Sequence, residues 1–549
     1  MSKNILIHND NVNFIDIFEK NEIKFKQTHS DIDKYISENI IKELNDEIFD
    51  AIFIKDNLSS NYLELLGLRV AFHIRLSSEL KENNRYAPIV ILSDVDSYIL
   101  NKLTPMGNLI FTKNIFMIQN TKDAYEKFKN KSVSPLTEQE YKIEFLEKIN
   151  ILPPKDTSGT HDIANIWSIY RWANFLGAKS KVIDKNKDEI ENQLYFKYLK
   201  AKNPIVKKTG LSIVPKAPQS KGNILYIDDE WDKGWKDIFE KYFSKSQNIH
   251  FHFVEHQYKD TRYEFIENLV KEFLTSKSID TVLLDMRLIK EDHEQKEVKE
   301  LSGIKLLTFI KAFNPGIQVI LLTASEKSII LDEANKYNIL GYIKKENSSD
   351  NTYTKEVFKK ITNLIDLGFE RKYLKDIWNI QKEILGLSLF EEDNHTEIRI
   401  EIESVFEILQ TDMENKFIYA MFALFKTIEI IIDLYIEERR ENGRRFAYWK
   451  SNNTKINFVD RDKYFPEELP HNSQISNDAT INKIRVLCYE KLQLNLQKMH
   501  DTLKIFVQIR NETIHPPRGR IAQKPSKDNI EEWFKILQII VSKIKKETN

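Results

Sequence analysis

Two stretches of this 549-residue chain repeat one succession of short apolar runs, each closed by polar residues. In residues 1–130 the runs fall at 5–8, 51–55, 89–93 and 109–112, with helical patterning between them. Between 223 and 365 they fall at 224–227, 282–284, 319–322 and 341–343. Apolar runs of this length alternating with helical stretches predict a parallel sheet covered on both faces, so the chain should contain two doubly wound α/β units. The repeat can be laid out residue by residue. Asn4 to Asp10 lies over Asn223 to Asp229, Asp50 to Lys55 over Asp280 to Asp285, and Val90 to Ser93 over Ile320 to Thr323. The strands match, but the polar residues that follow them do not.

Reactive side chains in a parallel doubly wound sheet gather where strands end at the carboxyl edge. In the second copy those ends deliver Asp228, Asp229 and Glu230, then Asp285, then Thr323, then Lys345. Crowded carboxylates repel one another and are best held with a cation among them. Oxygen ligands of this kind suit Mg²⁺, which would also neutralise an incoming phosphate. Asp285 could then attack phosphorus as a carboxylate nucleophile. Thr323 would hydrogen-bond a phosphoryl oxygen and Lys345 would pair with its charge. One strand ending in Asp says little; four strand ends carrying these types in this order are specific.

On those residues the segment resembles a response-regulator receiver domain of the two-component type, with a flavodoxin-like fold. The resemblance implies Asp285 as phospho-acceptor, with a histidine kinase or phosphotransfer protein as donor. It implies Mg²⁺ held mainly by Asp229 and Asp285 beside Asp228, with the Arg287 carbonyl helping, and a switch in which Thr323 moves toward the phosphoryl group while Tyr342 turns inward. Two departures stand out. The loop after Asp285 lacks the usual proline and is lengthened by the charged run 290–300 before Gly303, and Glu346 stands where proline commonly follows the lysine. In the first copy Lys55 stands at the acceptor position and Asn9 replaces one acid, so residues 1–130 read as a degenerate receiver in which Lys55 reaches Asp10 as a built-in cation. Asp56 as a substitute acceptor would need a one-residue shift onto the other strand face.

Residues 131–202 read as a helical spacer whose rings (Trp167, Tyr170, Trp172, Phe175) are expected in core or interdomain packing. Residues 203–222, with three prolines, read as a linker. Residues 366–395 read as a connecting helix, and 396–549 as a purely helical bundle. Near its end Arg510 and His515 are five apart, with Pro516 closing the helix. An imidazole beside a guanidinium can cleave a phosphodiester without metal: His515 would act as general base or acid and Arg510 would stabilise charge on phosphorus, with Asn511 orienting either. Arginine, a polar residue, three more and histidine resemble the HEPN signature. That likeness implies a metal-independent endoribonuclease site formed when two motifs meet in a homodimer. The plain alternative is a helix end in which Arg510 pairs with an acid and His515 caps carbonyls. Arg518 and Arg520 after the motif, and Arg444 and Arg445 beside Phe446, Tyr448 and Trp449, suit single-stranded RNA.

A net charge of -1 excludes a whole-chain case for nucleic-acid or membrane binding. The single cysteine, Cys488, excludes a disulfide framework and fits a reducing cytoplasm. No apolar run approaches bilayer-spanning length. The expected whole is a degenerate receiver, a spacer, a phosphorylatable receiver and a HEPN effector, suited by family analogy to growth arrest or phage defence. A regulator whose bundle only dimerises or binds RNA or protein, and a phosphate sink, remain open alternatives.

Overall fold

The computed structural model describes residues 3–26, 31–154, 160–204, 217–255, 262–295, 297–323, 328–345, 354–387, 396–456, 458, 480–494, 499–515 and 522–547. The linker residues 205–216, Glu346, Pro516, Arg518, Arg520 and residues 388–395 lie outside them.

Two five-stranded parallel sheets account for the repeat. The first contains β1 (Asn4–His8), β2 (Glu22–Lys24), β3 (Ala51–Lys55), β4 (Ile89–Leu92) and β5 (Ile115–Ile118), in the order β2-β1-β3-β4-β5. The second contains β6 (Gly222–Ile227), β7 (Ile249–Phe253), β8 (Thr281–Leu284), β9 (Gln318–Thr323) and β10 (Gly341–Lys344), in the order β7-β6-β8-β9-β10. Both follow the 2-1-3-4-5 order of flavodoxin-like sheets, with flanking helices. Their central strands are buried on both faces, which is why they read as unbroken apolar runs rather than as alternating ones.

Several expectations need correction, two of them in the fold. The run at 109–112 is not a strand. Pro105 opens a short 3-10 helix, Pro105–Phe111, capped by Thr104, and the fifth strand follows it at Ile115–Ile118. The C-terminal region is not purely helical, because β11 (Ile436–Glu441) and β12 (Arg444–Trp449) form an antiparallel hairpin. Its turn is Asn442-Gly443, both at positive φ (49° and 77°), the pair a two-residue primed turn demands. The others concern the superposition of the repeats, the reach of Lys55 and the basic hairpin.

The helix Thr160–Leu176 joins the two α/β units. Trp167 and Tyr170 pack into the core of the first, while Ile169, Trp172, Ala173 and Leu176 pack into that of the second. Trp172 is fully buried, its ring 5.1 Å from both Trp235 and Phe358. Helix Leu194–Lys202 is tied to the first unit by buried charge: Asp33 accepts from Arg69, from the Leu194 N–H and from the His73 ring, and Lys197 donates to Ser77 and Glu79.

At the far side, helix Thr354–Glu370 leads into Tyr373–Leu385, whose Tyr373, Leu374, Ile377 and Ile384 belong to the C-terminal core. Lys375 in that helix pairs with Asp280 at the amino end of β8, so the C-terminal region abuts the edge opposite the acid pocket. Among the described residues no helix is long and apolar enough to cross a membrane. Truncating Trp172→Ala removes the ring wedged between Trp235 and Phe358 and should lower stability by about 3–5 kcal/mol in urea unfolding; a loss under about 1 kcal/mol contradicts the shared core.

Candidate functional site

Strand register builds the pocket. Ile227 pairs with Leu284, and the Asp285 N–H bonds to the Ile227 carbonyl at 2.9 Å, which sets Asp228 beside Asp285. On the other flank β9 pairs with β10, and the Lys345 N–H bonds to the Thr323 carbonyl at 2.8 Å. The Lys345 ammonium lies between the acids, 2.7 Å from Asp285 Oδ2 and 2.9 Å from Asp228 Oδ2. All three side chains are essentially sealed from solvent.

Asp228 also accepts from the Tyr226 hydroxyl (2.7 Å) and from the Glu230 N–H (2.8 Å). The second oxygen of Asp285 accepts from the Met286 N–H. Asp229 is different: its Oδ1 is buried with no hydrogen-bond partner. Asp228, Asp229 and Asp285 each bring one carboxylate oxygen within 4.8 Å of the others. A buried acid with an orphaned oxygen, clustered with two more acids, fits a hard divalent cation with oxygen ligands, so the residues present could hold Mg²⁺.

The titration behaviour follows from this packing. Burial opposes ionisation of Asp228, but Lys345, Tyr226 and the Glu230 N–H outweigh it and hold the carboxyl below its ordinary value. Burial pushes Asp285 up to about 7, against the pull of Lys345 and with a further push from Asp228. Burial likewise drives Asp229 well up, reinforced by Asp228, Asp285 and Glu230. Burial works against the charge on Lys345, yet Asp228 and Asp285 raise its pKa.

Thr323 is buried at the end of β9. Tyr342, by contrast, is 40% exposed, with the Lys360 ammonium 4.2 Å from its ring, so it faces outward in this state. Arg287 is half-buried in the loop after Asp285. Sequence reasoning missed two supports. Tyr226 lies two residues before Asp228, and alternation along a strand puts both on one face. Trp235 carries Lys345 over its ring at 4.9 Å, and only tertiary packing brings it there.

Among the described residues, the first unit holds no such cluster. Ile7 pairs with Ile54 as Ile227 pairs with Leu284, so His8 stands at the place of Asp228, Asn9 at that of Asp229 and Asp10 at that of Glu230. The superposition read from sequence is therefore one residue out on β1. Continuing across the sheet, Ser93 stands at the place of Thr323 and Asn120 at that of Lys345. Lys55 does not reach Asp10. Its ammonium lies 2.6 Å from Asp56, whose other oxygen accepts from the Tyr62 hydroxyl at 3.0 Å. Asp10, at φ +69°, is turned out to solvent and pairs with Lys24.

Residues 3–118 match the family model described as iREC, the inactive receiver domain. That match supports a receiver domain in the first unit, and the loss of all three acids fits its description as inactive. Similar solved structures include the signal receiver domain of a putative Luxo repressor protein from Vibrio parahaemolyticus, 14% identical, covering 29% of this chain and 96% of that one with a TM-score of 0.21. Another is the Francisella response regulator 1452 receiver domain, 16% identical over 28% of this chain and 98% of that one, TM-score 0.20. Full-length FixJ from B. japonicum is 16% identical over 38% of this chain and 91% of that one, TM-score 0.21. At these scores the solved structures carry no argument, and the fold rests on the strand order and register above. No curated protein matches the chain.

In the C-terminal region, helix His500–Ile514 carries the Arg510 motif. The Arg510 guanidinium lies 4.5 Å from the Phe425 ring centre and donates to Asn511 Oδ1 at 3.1 Å. His515 follows the helix, exposed, its backbone N–H bonded to the Asn511 carbonyl. No hydrogen bond joins the Arg510 and His515 side chains among the described residues.

Nor is the basic-aromatic hairpin an open stacking surface. Trp449 is buried, Lys455 sits 3.1 Å over Phe446, and Arg439 sits 4.9 Å over Tyr448. Arg444 and Arg445 are exposed on β12, and Arg445 lies 3.9 Å from Glu438.

The acid pocket gives a pH prediction with a definite sign. Asp229 and Asp285 bind protons more tightly folded than unfolded, so the cation-free protein loses stability as pH rises above about 4 and the loss levels off once both ionise, for Asp285 near 7. Thermal unfolding in chelator should show that fall. Asp229→Asn should remove much of the slope and raise stability at high pH, and added Mg²⁺ should offset the fall in the parent. Equal, pH-independent melting of parent and Asp229→Asn contradicts the burial account.

Proposed function

We propose that this protein is a two-component response regulator phosphorylated on Asp285, with residues 223–365 as its receiver and residues 396–549 as its effector. The observation that carries the reading is the buried Lys345 bridge between Asp228 and Asp285, next to the unpartnered oxygen of Asp229. It supplies a cation site, a nucleophile and a fixed positive charge within one pocket. Asp228, Asp229, Asp285 and the Arg287 carbonyl would hold Mg²⁺, which supplies charge neutralisation at the incoming phosphate.

A carboxylate oxygen of Asp285 forms the new O–P bond as the P–N bond of a donor phosphohistidine breaks, and the leaving imidazole takes a proton. Lys345 then pairs with the phosphoryl group instead of with the Asp285 carboxylate. Thr323 follows the phosphoryl oxygen, and Tyr342 leaves its outward position beside Lys360. The donor is a histidine kinase or phosphotransfer protein.

For the effector we infer a HEPN endoribonuclease that becomes complete when two chains bring their Arg510/His515 ends together. His515 is exposed at the helix end, where a second copy and an RNA strand can reach it. It would remove the ribose 2′-hydroxyl proton as that oxygen attacks phosphorus and the 5′-oxygen leaves with a proton, while Arg510 and Asn511 steady the charge. The packing of Arg510 on Phe425 favours a second reading, in which the arginine is structural and the bundle only dimerises or binds RNA or protein.

Incubation with a labelled acyl phosphate and Mg²⁺ should label the parent and leave Asp285→Asn blank. Labelling of Asp285→Asn at the parent rate sinks the acceptor assignment. With total RNA as substrate, phosphorylated and unphosphorylated protein should differ in cleavage rate, and His515→Ala should reduce cleavage at least about 100-fold with melting unchanged. Cleavage indifferent to His515 leaves the non-enzymatic reading.

A further inference from the structure

We propose that Asp292 is a positioning residue for phosphoryl transfer, holding the lengthened loop after Asp285 so that the Arg287 carbonyl and the Met286 N–H stay beside the acceptor carboxylate. The inference rests on the reading of Asp285 as acceptor.

The run 290–300 is rich in charge, and an inserted charged loop would ordinarily be solvated. One of its acids is instead buried: Asp292 is 2% exposed. Its Oδ2 accepts from the Leu288 N–H (2.9 Å), the Ile289 N–H (3.2 Å) and the Ser302 hydroxyl, and its Oδ1 accepts from the Ser302 N–H (2.9 Å). The Ser302 hydroxyl oxygen in turn accepts from the Leu288 N–H at 3.0 Å. One carboxylate thus closes the insertion on itself, joining the residues just after the acceptor to the first turn of helix Ser302–Phe313, where it also satisfies an otherwise orphaned helix N–H.

The base of the same loop is fixed independently. The Gly303 N–H bonds to the Met286 carbonyl at 3.2 Å, and a Cβ on Gly303 would fall 2.5 Å from the Asp285 carbonyl oxygen. Arg287 is therefore held between two anchors, Gly303 below and Asp292 above. Losing Asp292 leaves the buried Leu288 and Ser302 amides without their carboxylate and frees the segment that carries the Arg287 carbonyl. A proline after the acceptor would stiffen this segment covalently; here a buried carboxylate does it by hydrogen bonds.

The test uses the full chain with Asp292→Ala, Asp292→Asn and Ser302→Ala. Mg²⁺ affinity is read from tryptophan fluorescence, Trp235 lying against Lys345. Label uptake from acetyl phosphate is read at low and at saturating Mg²⁺, and melting is followed as a control on folding. Asp292→Ala should weaken Mg²⁺ binding at least about tenfold, with the deficit in uptake largest at low Mg²⁺. Asp292→Asn should recover part of it, since its amide oxygen still accepts. Should Asp292→Ala fail to fold, Ser302→Ala decides, with a smaller loss in the same direction.

A parent that binds Mg²⁺ and takes up label beside an Asp292→Ala that does both within about twofold overturns this inference alone. A parent that does neither overturns the acceptor reading, and this one with it.

Discussion

A single ammonium group organises the carboxyl edge of the second sheet. Lys345 is buried, and so are the two carboxylates it bridges. Taking three charges out of water is costly, and the arrangement holds only because the partners are close and further bonds satisfy their remaining lone pairs. Tyr226, the Glu230 N–H and the Met286 N–H provide those bonds, and Trp235 lays its ring against the ammonium. Asp229 is left outside this compensation. Its orphaned oxygen makes the pocket electrostatically incomplete, and that incompleteness is what a divalent cation would relieve. The first unit shows the contrast on the same sheet order. There the cation is internal, Lys55 paired with Asp56, and no acid cluster stands among the described residues to recruit another.

The pocket sits between two contact regions of the chain. Near it, Trp235 touches Trp172 of the helix shared with the first unit. At the opposite edge, Lys375 pairs with Asp280 and Asn314 donates to Asn379, fastening the C-terminal core to the base of the sheet. Helix Thr354–Glu370 connects the two ends, carrying Lys360 beside Tyr342 and running on toward Tyr373. On the proposed reading, inward rotation of Tyr342 breaks its contact with this helix, the element in direct chain continuity with the effector. The loop from Asn338 to β10 touches Gln410 as well, so the β9–β10 side meets the bundle at a second point.

Much of this is legible in the sequence, because buried parallel strands leave unbroken apolar runs and the acids follow them directly. The failures have local physical causes. At 109–112 the apolar run closes a 3-10 turn in which Leu109 is buried and Phe111 exposed, and Pro105 was the available sign. On β1 the apolar alphabet repeats, so Asn4-Ile5-Leu6-Ile7 slides by one residue without penalty; only pairing with Ile54 fixes its register. The hairpin was announced by Asn442-Gly443, but β11 is almost wholly charged and β12 runs Phe446 to Trp449 without a polar break, so neither shows apolar alternation. Trp235 and Asp292 could not be found at all: one acts through packing, the other as a single buried acid in a run of exposed ones.

The most direct measurement is a double-mutant cycle on the bridge, with Lys345→Met, Asp285→Asn and the double variant unfolded by urea in chelator. Each single change breaks the Lys345–Asp285 contact, so its energy enters both single losses but only once the double, while the loss of Lys345 from Asp228 is common to Lys345→Met and the double variant. The account predicts a coupling energy of about 3 kcal/mol, the double variant being far more stable than the sum of the single losses implies. Additive losses, within about 0.5 kcal/mol, would contradict it, because they would mean that Lys345 and Asp285 do not depend on one another in the folded protein.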